Sequence, residues 1–152
     1  MKVDVVTSAT IRRLRADVAG FAADPNNVPR WYVNIQSVEW KSEPVLRVGS
    51  RIAFVARFLG RQMAYTYEIV DYVPGERLVM QTSEGPFPME TSYAWRDGAN
   101  GETEMTLRNR GEPAGFSKIL APFMAAAMRS ANRKDLALLK RILESDQTAS
   151  VR

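Results

Sequence analysis

Residues 21–32 read FAADPNNVPRWY. Asp24-Pro25 closes a preceding helix, because the residue before a proline avoids the α region. Asn27 stands where an N-cap belongs, Pro29 falls in the first turn of a second short helix, and Trp31 and Tyr32 lie at its end. Two short helices in immediate succession are therefore expected near the start of the chain. Upstream, residues 2–8 (KVDVVTS) are rich in β-branched side chains and predict a strand. Between them, Ser8 and Thr10 offer capping hydroxyls. Ile11, Leu14, Val18, Phe21 and Ala22 then recur at helical spacing, opposite Arg12, Arg13, Arg15 and Asp17.

Downstream the period changes to two, and six strands are expected at 35–41, 49–59, 62–73, 76–84, 88–97 and 102–110. Gly60-Arg61, Pro74-Gly75 and Asp97-Gly98 are turn pairs, and connections this short favour an antiparallel meander. Residues 115–145 carry apolar side chains at i, i+3, i+4 spacing, from Phe116, Leu120, Phe123 and Met124 to Leu139 and Ile142. They predict one long helix, with Pro122 kinking it or joining a short helix to a longer one. Residues 146–152 have no pattern and read as a frayed tail beyond a single domain of residues 1–145.

Alternation divides the strands into two faces. Ile52, Phe54, Ala56 and Phe58 share one, with Met63, Tyr65, Tyr67 and Ile69, then Met89, Thr91, Tyr93 and Trp95, then Thr103, Met105, Leu107 and Asn109. Arg51, Arg57, Glu68, Glu90, Arg96, Arg108 and Arg110 fall on the other. A one-residue bulge inverts part of such an assignment. The inward set has almost no ionisable group. Its polar atoms are tyrosine and threonine hydroxyls, the Asn109 amide and, at a strand end, Glu84.

The chain has no cysteine and no histidine, so thiolate nucleophiles, disulfides and Ser-His-Asp or Cys-His machinery are absent. No metal and no cofactor is expected. The formal net charge of +4 comes from interleaved acidic and basic residues, which reads as a solvated surface and not as a DNA-binding face. Basic side chains at Arg12, Arg13, Arg15, Arg129, Arg133, Lys134, Lys140 and Arg141 leave a ribosomal or membrane surface as an alternative partner. The N-terminus does not read as a signal peptide and no apolar run reaches transmembrane length. A cytoplasmic monomer or homodimer is the expectation.

A helix ending in Asp-Pro and followed by Pro29-Arg30-Trp31 resembles the SRPBCC superfamily of START, Bet v 1 and polyketide cyclase/dehydrase-like proteins. Val48-Gly49, Pro74-Gly75-Glu76-Arg77-Leu78, Asp135-Leu136, Leu139-Lys140 and Leu143-Glu144 extend the resemblance in order over essentially the whole chain. It implies an α+β helix-grip fold. Seven antiparallel strands and two short helices would enclose a hydrophobic cavity with a long C-terminal helix. Relatives of this kind bind lipids, sterols, polyketides or quinones, and some cyclise polyketides through pocket Arg, Tyr or Trp groups. The iron-binding oxygenase relatives need histidine and are excluded.

A hydrophobic ligand would then lie against Trp31, Phe54, Phe58, Tyr65, Tyr67, Tyr93, Trp95, Met105, Phe116, Leu120, Phe123, Met124 and Met128, with Asn109 at its polar end. The same aromatics and methionines also suit an ordinary filled core, and Trp31 with Tyr32 suits either a gate or a structural anchor. Two alternatives remain. One is a cyclase or dehydratase with Tyr65, Tyr67 or Tyr93 as acid and Glu84 or water as base, which requires a tyrosine hydroxyl facing the cavity with no protein partner. The other is a ribosome- or membrane-associated, coenzyme Q-binding or toxin-like protein.

Overall fold

A computed structural model describes residues 3–58, 60–85, 87–112 and 121–150, with side chains of the last helix from 122 to 145. The elements run β1 (Val3–Ile11), α1 (Arg15–Ala22), a 3-10 turn (Pro25–Asn27), α2 (Val28–Trp31), β2 (Ile35–Trp40), β3 (Arg51–Phe58), β4 (Arg61–Val73), β5 (Arg77–Glu84), β6 (Met89–Asp97), β7 (Thr103–Gly111) and α3 (Ala121–Ser150). The seven strands form one sheet in the order β1-β7-β6-β5-β4-β3-β2, and every neighbouring pair is antiparallel. Only the pairing of β1 with β7 joins strands distant in sequence. α3 packs along β1 and against α2.

Three boundaries differ from the sequence expectation. β1 continues to Ile11, which is fully buried, so Ser8 and Thr10 are strand residues rather than caps. The α1 N-cap position falls to Leu14, which is 63% exposed and has no side-chain cap. A β-branched strand and an amphipathic helix overlap in this stretch, and pairing with β7 as far as Thr103 decides for the strand. In the Asp-Pro segment it is Asp24, not Asn27, whose side chain caps, accepting from the Asn26 N–H at 3.0 Å. The Asn27 amide donates instead to the Phe21 carbonyl at 3.1 Å, tying the end of α1 to the start of α2.

The third difference concerns α3. The described part of α3 begins at Ala121, so the kink or joint expected at Pro122 falls at the edge of the described residues. The helix extends to Ser150 and takes up most of the expected tail at 146–152. Residues 115–120, which the sequence reading joined to this helix, lie outside the described residues.

The faces follow alternation as expected. Ile52, Phe54, Tyr93, Trp95, Met105 and Leu107 are buried, and Arg51, Arg57, Arg96 and Arg110 are exposed. A bulge between Ile69 and Asp71 changes the phase of β4, exposes Val70 and turns Tyr72 onto the core. The interior forms two clusters. The larger gathers Val18, Ala22, Trp31, Ile52, Leu107, Leu136 and Leu139; the smaller gathers Val3, Val5, Phe87, Met124 and Met128.

The far end of α3 is held by Glu144. Its carboxylate accepts from the Arg12 backbone N–H at 2.9 Å, the Arg12 guanidinium at 3.1 Å and Lys140 Nζ at 2.7 Å. Lys140 Nζ also donates to the Thr10 carbonyl, and Arg13 to the Leu143 carbonyl. Arg12, Arg13 and Lys140 thus clamp the helix to the β1–α1 junction. Partial burial would raise the Glu144 pKa, but the hydrogen bonds from Lys140 and Arg12 outweigh it and hold the pKa at about 2. The carboxylate therefore stabilises the fold above its unfolded pKa, and that contribution fades as pH falls through about 2. Arg12 is largely solvated, which places the effect at the low end of the range for charged hydrogen bonds. Glu144→Gln is expected to lower unfolding free energy by about 1–2 kcal/mol near neutral pH. Denaturant titrations should show the gap between the two proteins closing below about pH 3.

Candidate functional site

Where the two clusters meet, the interior is not filled. A cavity of about 130 Å³ lies between the sheet and α3. Phe54, Ala56 and Phe58 of β3 and Met63, Tyr65 and Tyr67 of β4 supply its sheet wall. Met124, Met128, Ala131, Asn132 and Asp135 supply the helix wall. Phe87, Met89 and Asn109 close one side, and Tyr32, Asn34 and Ile35 another. An apolar void of roughly 150 Å³ accommodates a benzene-sized guest in other proteins, so this one suits a single ring or a short stretch of chain.

Two local features shape the aromatic wall. Phe54 and Tyr67 meet edge to face, with centroids 5.8 Å apart, as do Tyr65 and Phe87 at 6.0 Å. The Tyr65 ring also depends on Gly85. A Cβ there would lie 2.8 Å from the ring Cδ1, closer than real contacts allow.

Several polar groups of the cavity are engaged within the protein. Tyr65 donates to the Met63 sulfur at 3.2 Å. Tyr67 lies 3.4 Å from the Thr91 hydroxyl, which donates to Asn109 Oδ1 at 2.6 Å. The hydroxyls of Tyr93 and Tyr32 pair at 2.7 Å. The Tyr65 and Tyr93 hydroxyls are therefore partnered, whereas no acceptor for the Tyr67 O–H is found among the described residues. Asn132 Nδ2 is a donor without a partner, in a residue only 5% exposed. Trp31 and Trp95 also have indole N–H groups without a partner, but these two rings stack with Tyr93 inside the core, away from the cavity wall.

Asp135 is the second group the sequence reading did not assign to the site. It is 2% exposed, and its Oδ1 accepts from the Val33 N–H at 2.9 Å, joining α3 to the segment between α2 and β2. Burial pushes its pKa up to about 7, against the smaller opposing effect of the Val33 hydrogen bond. Asn132 and Asp135 had a signal in the sequence. They continue the spacing of Met124 and Met128 toward Leu139, so two polar residues sit on the buried stripe of an amphipathic helix.

Of the residues expected to line the cavity, Phe54, Phe58, Tyr65, Tyr67, Asn109, Met124 and Met128 do so. Trp31, Tyr93, Trp95 and Met105 are instead buried in the larger cluster. Phe123 is 68% exposed on α3, one position out of phase with Met124. Glu84 stands at the exposed end of β5 and does not reach the cavity. Phe116 and Leu120 lie outside the described residues.

The sequence matches the family model described as polyketide cyclase / dehydrase and lipid transport over residues 2–144. The chain belongs to this family. Fold and family are those of START- and Bet v 1-like proteins that bind hydrophobic ligands. No curated protein matches the sequence. Among solved structures the chain is similar to the protein TTHA0849 from Thermus thermophilus, with 17% identity, a TM-score of 0.81, and 93% of this chain and 97% of the other covered. It is similar to a START superfamily protein from Mycobacterium smegmatis at 11% identity and TM-score 0.80, covering 94% and 98%. It is also similar to the Zhui aromatase/cyclase from Streptomyces sp. R1128 at 14% identity and TM-score 0.81, covering 96% of each chain. At these identities the likeness is one of fold. Among the described residues, no helix is long and apolar enough to cross a membrane.

The raised pKa of Asp135 has a thermodynamic consequence. Its folded state prefers the neutral acid, so the contribution is complete below the unfolded pKa near 4 and is lost as pH rises through about 7. Asp135→Asn keeps an acceptor for Val33 and cannot ionise. Thermal unfolding measured from about pH 4 to pH 8 should show wild-type stability falling by roughly 1–3 kcal/mol relative to the variant.

Proposed function

We propose that this protein takes up a hydrophobic small molecule in the cavity between sheet and helix. The apolar body of the guest lies against Phe54, Phe58, Tyr65, Phe87, Met124 and Met128. Its polar end points toward Asn132 and Asp135. The observation that carries the reading is the cavity itself, which is apolar along most of its wall and has a few polar side chains, Asn132 and Asp135 among them. Such a distribution suits recognition of an amphipathic guest, in which apolar area provides affinity and a few fixed polar groups provide orientation. Lipids, polyketides and quinone-like molecules are candidate guests; each combines an apolar body with an oxygen-bearing end.

A single-ring probe such as p-cresol, followed by NMR titration, should bind the wild type. Ala131→Phe, which adds a ring to the helix wall, should weaken uptake by about tenfold or more through overpacking. Native mass spectrometry of freshly purified protein would reveal a guest that co-purifies. Equal probe affinity in wild type and variant would place binding elsewhere.

Asp135 also supports a second reading as a cyclase or dehydratase. A carboxyl with a pKa near 7 is suited to both giving and taking a proton near neutrality. It would take a proton from the carbon beside a carbonyl and deliver it to a departing hydroxyl, which leaves as water. That role falls to Asp135 because Glu84 is remote and the tyrosine pKa values are raised by burial, which leaves no tyrosinate to act as base. Turnover of a β-hydroxy ketone by wild type, abolished in Asp135→Asn, is the expected result on this reading. Equal background rates in both would leave binding alone.

A further inference from the structure

Asn132 and Asp135 stand one helical turn apart on the wall of the same cavity, and side chains at this spacing meet on one face. Asn132 presents an N–H donor with no protein partner in a residue 5% exposed. A buried donor left unpaired is costly, so the site is incomplete without an acceptor. Asp135 spends Oδ1 on the Val33 N–H, and its Oδ2 has no hydrogen-bond partner among the described residues. In the neutral acid that remaining oxygen carries an O–H, a second donor. We propose, resting on the cavity reading, that Asn132 and Asp135 form a two-donor anchor for one carbonyl oxygen. The cavity then selects a neutral carbonyl compound, such as a ketone, ester or quinone, over a carboxylate of the same shape.

The physical reason is complementarity of hydrogen-bond sense. A carbonyl oxygen has two lone pairs and no proton, so it accepts from both groups at once. A carboxylate would bring a charge into a cavity that, among the described residues, neither Lys nor Arg lines. A hydrocarbon would leave the Asn132 donor unsatisfied.

The surroundings of Asp135 keep it neutral over the lower pH range. β1, which runs under α3, turns Val5, Thr7 and Ile11 inward and no titratable group. Among the described residues, the titratable groups that face Asp135 are the hydroxyls of Tyr32 before β2 and Tyr93 on β6, with Tyr67 of β4 on the wall of the same cavity. Burial raises the pKa of all three, so they stay uncharged throughout. On its own helix, Arg129, Arg133 and Lys134 are exposed. Carbonyl binding should therefore weaken as pH rises through about 7, when Asp135 loses its donor and gains a charge that repels the acceptor.

The test uses three single-ring probes of one shape: acetophenone, its hydrocarbon isostere α-methylstyrene, and benzoate. Binding is measured by NMR titration at about pH 5.5 and about pH 8.5. At the lower pH the ketone should bind about tenfold more tightly than the hydrocarbon, and the carboxylate most weakly. The ketone preference should shrink several-fold at the higher pH. In Asn132→Leu the ratio of ketone to hydrocarbon affinity should fall toward one, with hydrocarbon binding reporting that the cavity persists. In Asp135→Asn, which keeps an N–H donor, the preference should survive and its pH dependence disappear. Equal binding of ketone and hydrocarbon by wild type, tightest binding of benzoate, or a ketone preference that does not change with pH would overturn the anchor and leave the cavity reading intact. No binding of any probe would overturn both.

Discussion

One helix has to cover the buried face of seven strands. Adjacent strands lie about 4.8 Å apart, so six spacings span roughly 29 Å, whereas a helix with its side chains is only about 10 Å wide. A single α3 lying on a flat sheet of this width would leave most of the apolar face in water. The chain meets the constraint with helices of unequal size. Val18, Ala22 and Trp31 of α1 and α2 cover part of the face, and α3 follows β1. α3 meets α2, but it does not close on the β3–β4 part of the sheet, and the cavity is the space left between them.

That geometry explains where the polar residues are found. The side of α3 that meets the larger cluster is apolar at Leu136, Leu139 and Leu143. The side over the cavity has no protein surface to pack against, so Asn132 and Asp135 are not excluded by close-packed neighbours. Both still lose their water, at the expense of stability: one donor is left unpartnered and one carboxyl is held mostly neutral near pH 7. Local rules broken at a site, and offset by packing elsewhere, are what a binding function requires of a fold. Here the offset comes from the two clusters and from the Glu144 clamp at the far end of the helix.

Much of this architecture was legible residue by residue. The period-two run from residue 35 to 110 placed six strands and their faces, because side chains alternate across a sheet whatever its curvature. Asp24-Pro25 separated two short helices for a reason internal to the proline ring. The overlap at Ile11 was misread because strand and helix patterns are both local, and only pairing with Thr103 chose between them. Phe123 was placed on the wall because a helix phase carried across Pro122 is ambiguous by one position, and neighbouring side chains of a helix differ by about 100°.

The sequence by itself determined the elements, their order, the inward set of aromatics and the absence of histidine and cysteine chemistry. These follow from chain-local sterics, periodicity and composition. Tertiary structure alone decided which inward residues line a void and which fill a core. Tyr67 and Tyr93 have the same inward phase on their strands, yet one faces the cavity and the other closes on Tyr32. It also decided that Asp135 and Asn132, rather than Glu84, are the polar groups of the site. Burial, and with it the pKa of a carboxyl, depends on what distant segments place around it, and no local pattern encodes that distance.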